Sequence, residues 1–354
     1  MSLLYRHIIK TISLSTLLVA IVMMGIIFFI NLLGELKNIG VGEYTLWQAI
    51  IYVLLQLPHE LYQFFPILAL LGGIAGLSIL SAQNELILMR ASGFSTFQML
   101  KAALISSLIL MIFMLMVGEW LAPTASYMAA LRRETAKAGG QAVVTGSGVW
   151  IHEGNMFLHV RQVIDRSRLE EVTGYVFDTD HHLKTSFFAK QLDRKNEKQW
   201  KMHDVIKTTF TAERVFSQRS DEAVLEIKLN PSLLNMGLIE PNEMSLRRLA
   251  MFSRYLVRNG LEAGAYQFEF WSRIFQPFMS FVMILLAVPF VLRTSVRTSM
   301  GWQLMCGIML GFLFYICNSL LGQMSIIFQS PPWLAALLPS LLFAGISAFL
   351  LKSL

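Results

Sequence analysis

The side chains able to do chemistry in this chain are few and scattered. Five of its seven histidines, His152, His159, His181, His182 and His203, fall in one stretch, yet none shows the HxxxH or HExxH spacing that sets two ligands on one helix face. They read as solvated residues of strands and turns, and no metal site is expected. No GxSxG or SxxK motif supplies an activated serine. No Gly-Lys dipeptide occurs, so a Walker A phosphate loop cannot form. Catalytic residues, and any cofactor held by this chain, are therefore not expected. A different kind of site lies at Ser81–Phe94, SAQNELILMRASGF. Asn84 can cap a short helix, and Glu85 suits its positive N-terminus. Leu86, Leu88 and Met89 would then be exposed. Such a helix either docks in a groove of another protein or lies on a bilayer.

The elements that position this loop are set by gaps between charges. Only 15% of the 354 residues are charged and 55% are hydrophobic, where soluble domains carry about 25% charge. Charge-free runs cover 24 residues at 11–34, 24 at 61–84, 17 between Lys101 and Glu119, 19 between Arg273 and Arg293, and 54 between Arg297 and Lys352. A membrane crossing needs about 20 apolar residues. The last run breaks at Gly322-Gln323 and Ser330-Pro331-Pro332. Six spans follow, near 12–33, 61–80, 101–121, 273–292, 300–321 and 333–351. The first run is too long for a signal-peptide core and no small-residue cleavage site follows it, so it is expected to stay as a helix.

The net charge of +6 fits topology better than nucleic-acid binding. Arg6, His7, Lys10, Arg90, Lys101, Arg293, Arg297 and Lys352 fall on one side, and the opposite short loops hold only Lys37. The positive-inside rule then puts both termini in the cytoplasm and the long segment after span three outside. Cys306 and Cys317 share span five about 16 Å apart, beyond disulfide reach.

From about 140 to 230 the long apolar runs give way to short ones: Val149–Ile151, Met156–Val163, Thr173–Phe177, Thr185–Leu192 and Gln199–Thr209, separated by turns. This predicts an all-β insertion, a sandwich or jelly roll. Residues 245–258 predict an amphipathic helix, capped by Ser245 and ended by Gly260, with Leu246, Leu249, Leu256 and Val257 as its stripe and Arg247, Arg248, Arg254 and Arg258 making it basic. Tyr266, Phe268, Phe270 and Trp271 follow as an interfacial aromatic belt.

Five runs carry a resemblance: Glu85–Phe94 (ELILMRASGF), Gly118–Pro123 (GEWLAP), Gly148–Val160 (GVWIHEGNMFLHV), Trp271–Pro277 (WSRIFQP) and Gly311–Tyr315 (GFLFY). In this order around one β insertion, they make the chain resemble the LptF/LptG family of lipopolysaccharide-export permeases over essentially its whole length. The resemblance implies an α-helical membrane protein with six transmembrane helices and an inserted periplasmic β-jellyroll. The divisions are 1–130 (with a coupling helix at 82–95), 131–244 and 245–354. It further implies a bacterial inner-membrane permease that extracts lipopolysaccharide and passes it to a periplasmic bridge. The implied partners are a sister permease, an ABC ATPase dimer supplying ATP and Mg, bridge proteins with a β-jellyroll, and a single-helix membrane regulator.

By the same resemblance, Glu85, Leu86, Leu88, Met89, Arg90 and Gly93 form the contact to the ATPase. An anionic lipid needs apolar walls and a basic rim. Phe28, Phe29, Phe64, Phe65, Phe312 and Tyr315 are candidates for the walls, though any one of them taken singly reads better as an ordinary lipid-facing or helix-packing aromatic. Lys37, Arg132, Arg133 and Lys137 are candidates for the rim. Family chains carry a lysine near the outer end of span one, where this chain has Asn31. Trp150, Phe157, Val160 and Phe177 alternate on strands and can face the jellyroll interior, open to lipid or closed as a core. The alternative class is a secondary transporter or channel with an extracytoplasmic β domain. Such proteins place ionisable groups or broken helices at the midplane, and these spans lack acidic and basic residues between their ends.

Overall fold

The computed structural model describes the chain apart from residues 1–2, 138–143, 154, 164–166, 179–181, 197–198, 212–213, 228–239, 259, 295–297, 329 and 353–354. His181 and Arg297 thus lie outside the described residues, as do the side chains of Trp150 and His152. Helix α1 is Leu3–Glu35, α2 Leu46–Gln63, α3 Phe65–Ala82, α4 Glu85–Ala91, α5 Thr96–Met116 and α6 Ala122–Lys137. A π-helical turn, Val117–Leu121, joins α5 to α6 without a break. After the sheet come α7 (Leu246–Arg258), α8 (Gly264–Thr294), α9 (Met300–Ile327) and α10 (Pro332–Lys352).

Six helices among the described residues are long and apolar enough to cross a membrane, at the six expected places. The third is longer than expected. It runs from Thr96 to Lys137, 42 residues, or about 63 Å, so α6 projects well past the hydrocarbon layer.

Helix α3 is the centre of the bundle: 78% of its apolar window is buried, against 6% for α1. Its neighbours are α1, α8 and α9. Close approach explains the small residues on α3, because a Cβ on Gly72 would fall on Thr16 of α1. The faces of α1 and α9 turned away from α3 are apolar and exposed, including Phe29 and Phe312.

Helix α2 was not expected. Its N-terminus carries a capping box, Thr45 with Gln48, and its buried face is Ala49, Val53, Gln56, His59 and Tyr62. That face packs on α6.

The insertion is one six-stranded antiparallel sheet in consecutive order: β1 Val144–Glu153, β2 Met156–Val163, β3 Arg168–Phe177, β4 Leu183–Arg194, β5 Gln199–Phe210 and β6 Val215–Glu226. The described strands thus form a meander, without the crossover of a Greek key. One face is a packed core that includes Leu158, Val160, Val172, Leu192, Val205 and the fully buried Trp200. Glu171 on β3 and Asp204 on β5, both at φ 51°, break the alternation, so buried residues fall three apart at Leu169/Val172 and at Met202/Val205.

Candidate functional site

At the loop end of the bundle, α4 begins at Glu85 as expected, but Asn84 does not cap it. Asn84 sits at φ 59° and its side chain caps nothing. Glu85 instead bonds His7 on α1, with Nε2 to Oε2 at 2.7 Å. Tyr5 of α1 meets Phe94 edge-on at 5.2 Å between ring centroids. The N-terminal turns of α1 therefore hold both the first residue of α4 and Phe94 just beyond its end.

The apolar residues of α4 divide between two faces, and this corrects the sequence reading. Leu86 and Met89 are 3% and 4% exposed and share a core with Ile8, Ile12 and Phe94. They support the helix and are not free for a partner. Ile87 and Leu88 are the outward residues, at 61% and 67%. The period of 3.6 puts 86 and 89 on one side and 87 and 88 on the other. Arg90 is exposed, and its Nη2 donates to Thr96. Gly93, at φ +88°, lets the chain turn so that Phe94 N–H reaches Met89 O at 2.9 Å.

At the sheet end, α1, α2, α6 and the turn Pro241–Glu243 enclose a cavity of about 450 Å³. Its lining is polar, with four carboxylates, Glu35, Glu60, Glu240 and Glu243, against two cations, Lys37 and Arg133. Glu35 is buried and receives Arg133 through two bonds, at 3.2 and 2.8 Å, with Tyr44 and Asn38 as further donors. Arg133 also covers the Tyr52 ring at 5.0 Å. Gln56 donates to Glu243 at 3.0 Å, and Asn31 to Glu60 at 3.2 Å. Burial pushes the Glu243 carboxyl up to about 7 and raises Glu60. Burial, aided by the nearby Arg273, pushes His59 down to about 4, so its imidazole is neutral.

The expected basic rim is therefore revised. Arg133 is committed to Glu35, so its charge is already balanced. Lys137 lies over the Tyr44 ring at 5.9 Å. Lys37 and Arg132 are exposed and make no described ion pair.

A smaller cavity of about 120 Å³ adjoins the first, sharing His59, Gln63 and Asn242. It holds Arg273, 6% exposed, which sequence reasoning placed only at a span end. Arg273 donates to Gly118 O at 3.0 Å and Asn242 O at 2.9 Å, and stacks over Tyr62 at 5.1 Å. Two of the quoted runs, GEWLAP and WSRIFQP, thus meet through one guanidinium at the π-helical turn. That shared contact is the signal a sequence reading lacked.

Of the proposed apolar walls, the structure brings together Phe64 and Tyr315, stacked at 5.5 Å. Phe65 is 2% exposed and belongs to the interior, so it lines no open wall. Phe28 is half-buried, and Phe312 projects outward at 63%. On the sheet only Val160 faces the buried core. Phe157 and Phe177 pair edge-on at 5.6 Å and are only half-buried, because both sit out of register with Val160 on the pleat. Trp150 pairs with His159 along the backbone, and its side chain lies outside the described residues.

Comparison with known proteins agrees with this arrangement. The model of the family "Lipopolysaccharide export system permease LptF/LptG" matches residues 6–353. The chain is 32% identical over 339 residues to the lipopolysaccharide export system permease protein LptG of Haemophilus influenzae, covering 96% of this chain and 95% of that one. It is 31% identical over 348 residues to the LptG of Escherichia coli K12, covering 98% and 97%. With six membrane-spanning helices around one β insertion and a match along nearly its whole length, the chain belongs to the LptF/LptG family of lipopolysaccharide export permeases.

Proposed function

We propose that this chain is the LptG-type permease subunit of an inner-membrane ABC transporter that extracts lipopolysaccharide and hands it to a periplasmic bridge. The family match over residues 6–353 carries this reading. In this account both termini are cytoplasmic and the sheet is periplasmic. A sister permease of the LptF type packs on the exposed faces of α1 and α9. An ATPase dimer binds ATP and Mg and drives the cycle, and a single-helix regulator and jellyroll bridge proteins complete the path. This chain itself contributes no catalytic group.

Coupling runs through α4. Glu85 meets a basic residue at the edge of an ATPase groove, and Ile87 and Leu88 enter the groove. Leu86 and Met89 transmit the motion into α3, and the grip of Tyr5 and His7 transmits it into α1. Helix α1 spans the bundle, so its far end carries that motion to Glu35 and the polar cavity. Lipid phosphates are met by Lys37 at the cavity edge and by the exposed Arg132 on α6. The neutralised Arg133 and the ring-stacked Lys137 shape the cavity. The acyl chains lie along the aromatic surface that includes Phe28, Phe64, Phe312 and Tyr315.

The test is assembly and cargo. Purified with its partners, the chain should bring an ATPase with it, and photo-crosslinkers beside Lys37 should capture lipopolysaccharide. Robust ATP hydrolysis by the single chain, or capture of no lipopolysaccharide by the assembled complex, would overturn the proposal.

A further inference from the structure

Helix α7 carries four arginines and no acidic residue in 13 positions, a feature that the transport function leaves unused. Its inward side is settled. Leu249, Ser253 and Leu256 are buried, and Arg248 lies over the Tyr127 ring at 5.9 Å. Val257, expected in the apolar stripe, instead faces out at 54%. The outward side is a single stripe, Arg247, Met251, Arg254 and Arg258, at i, i+4, i+7 and i+11. All four are exposed, and the stripe is about 16 Å long. Among the described residues, none of its three arginines meets a carboxylate.

Helix stability explains only part of this stripe: Arg258 lies in the last turn, where the dipole favours a cation, and Arg254 Nε donates to Ala250 O at 2.9 Å. Arg247 sits in the first turn, where the helix dipole is positive and disfavours a cation. Packing does not explain the stripe, since these side chains point away from the bundle. The height of α7 is fixed by Phe252, whose ring meets Tyr266 edge-on at 4.8 Å. Tyr266 and Phe270 pack with Leu249 at the start of α8, a helix long and apolar enough to cross a membrane, where the sequence predicts an interfacial aromatic belt. The stripe is therefore level with lipid head groups, and Met251 and Val257 are apolar residues beside its charges.

We propose that α7 is an interfacial anchor whose Arg247, Arg254 and Arg258 bind the phosphates of anionic phospholipid in the surrounding bilayer. Three cations spaced along a surface helix match a dense layer of phosphates, and the flanking apolar residues match the acyl boundary. The anchor fixes the joint between the β insertion and α8. It depends on the membrane spans and not on what lipid is transported.

The full chain, in nanodiscs of phosphatidylcholine alone or mixed with phosphatidylglycerol and free of lipopolysaccharide, tests this. Each arginine near an anionic surface contributes about five-fold in affinity. Wild type should melt higher in the mixture and retain phosphatidylglycerol through purification. Arg247→Gln/Arg254→Gln/Arg258→Gln should lose both effects, with retention falling ten-fold or more, and the corresponding triple Lys variant should keep them. High salt should abolish the preference in wild type, a readout that needs no variant. A photoreactive residue at Met251 should label phospholipid. A preference that persists in the Gln variant or in high salt, an equal melt of wild type in both discs, or labelling of a protein would overturn the proposal.

Discussion

The two ends of α1 are built on opposite plans. At the loop end the charges are outside and the apolar groups inside: His7 and Glu85 pair with side chains 49% and 30% exposed, over a dry layer of Ile8, Leu86 and Met89. At the sheet end the charges are inside: the Arg133–Glu35 pair is 26% and 11% exposed, and the cavity beside it is walled by amides and carboxylates. A rigid helix with outward Ile87 and Leu88 is a surface made to be covered. A buried, fully bonded carboxylate holds one shape until something breaks it. In the proposed cycle the first end receives force and the second responds to it.

The largest effect should come from reversing charge at the receiving end. Glu85→Lys would place like charges together at the ATPase groove and lose the bond to His7. Assembly or export should be abolished while membrane insertion is kept, and an acidic substitution in the ATPase should rescue it. Co-purification and a cell-viability assay read both outcomes. Normal assembly and export by this variant would reduce α4 to an ordinary surface helix.

Next comes a contrast within α4. Leu86→Ala with Met89→Ala removes buried side chains and should cost about 2–5 kcal/mol of folding stability per site. Ile87→Asp with Leu88→Asp should leave the melting temperature nearly unchanged and instead weaken ATPase binding. The same effect from both pairs would erase the division of faces.

At the responding end, Arg133→Gln leaves Glu35 buried without its cation. The expected loss is about 2–4 kcal/mol, below the cost for a fully dry pair because Arg133 is a quarter exposed. Glu35→Gln with Arg133→Gln should recover part of it. His7→Ala at the exposed pair should cost no more than about 1 kcal/mol. Thermal melts of the three variants measure the difference, and equal costs at both ends would contradict the comparison.

One effect is confined to a pH window, and vanishes at its acid end. Burial raises the Glu243 carboxyl to about 7, so folding favours its protonated form. The contribution is present in full below the unfolded value of 4.5 and is lost as pH rises through about 7. Glu243→Gln should thus match wild type near pH 4.5 and exceed it at pH 8 by up to about 3 kcal/mol. His59, neutral when folded, contributes in the other direction: stability falls as pH drops from 6.5 toward about 4. A Gln variant with no advantage at pH 8 would show that Glu243 is solvated.

The sequence revealed much of this architecture and little of the pairing. All six spans were legible because lipid tolerates few charges, and charge gaps mark them directly. Helix α2 was hidden by Pro58, His59 and Glu60, which interrupt its hydropathy although its capping box was in plain view. Strand β6, VFSQRSDEAVLE, was missed because its mainly polar side chains lack the alternation that marks a half-buried strand. The start of α4 was legible, but its inward face was not, since a seven-residue helix alone gives no sign of what packs beneath it. Arg133 was read as a free cation because Glu35 is 98 residues away and only the fold brings them together.

The central claim is that force enters at α4 and moves lipopolysaccharide. The direct measurement is lipid transfer from proteoliposomes holding this chain, its sister permease and the ATPases to a purified jellyroll bridge protein. ATP should drive transfer in wild type, and Ile87→Asp/Leu88→Asp should abolish it while the ATPases still hydrolyse ATP. Transfer that ignores ATP, or that proceeds at full rate in this variant, would contradict the account.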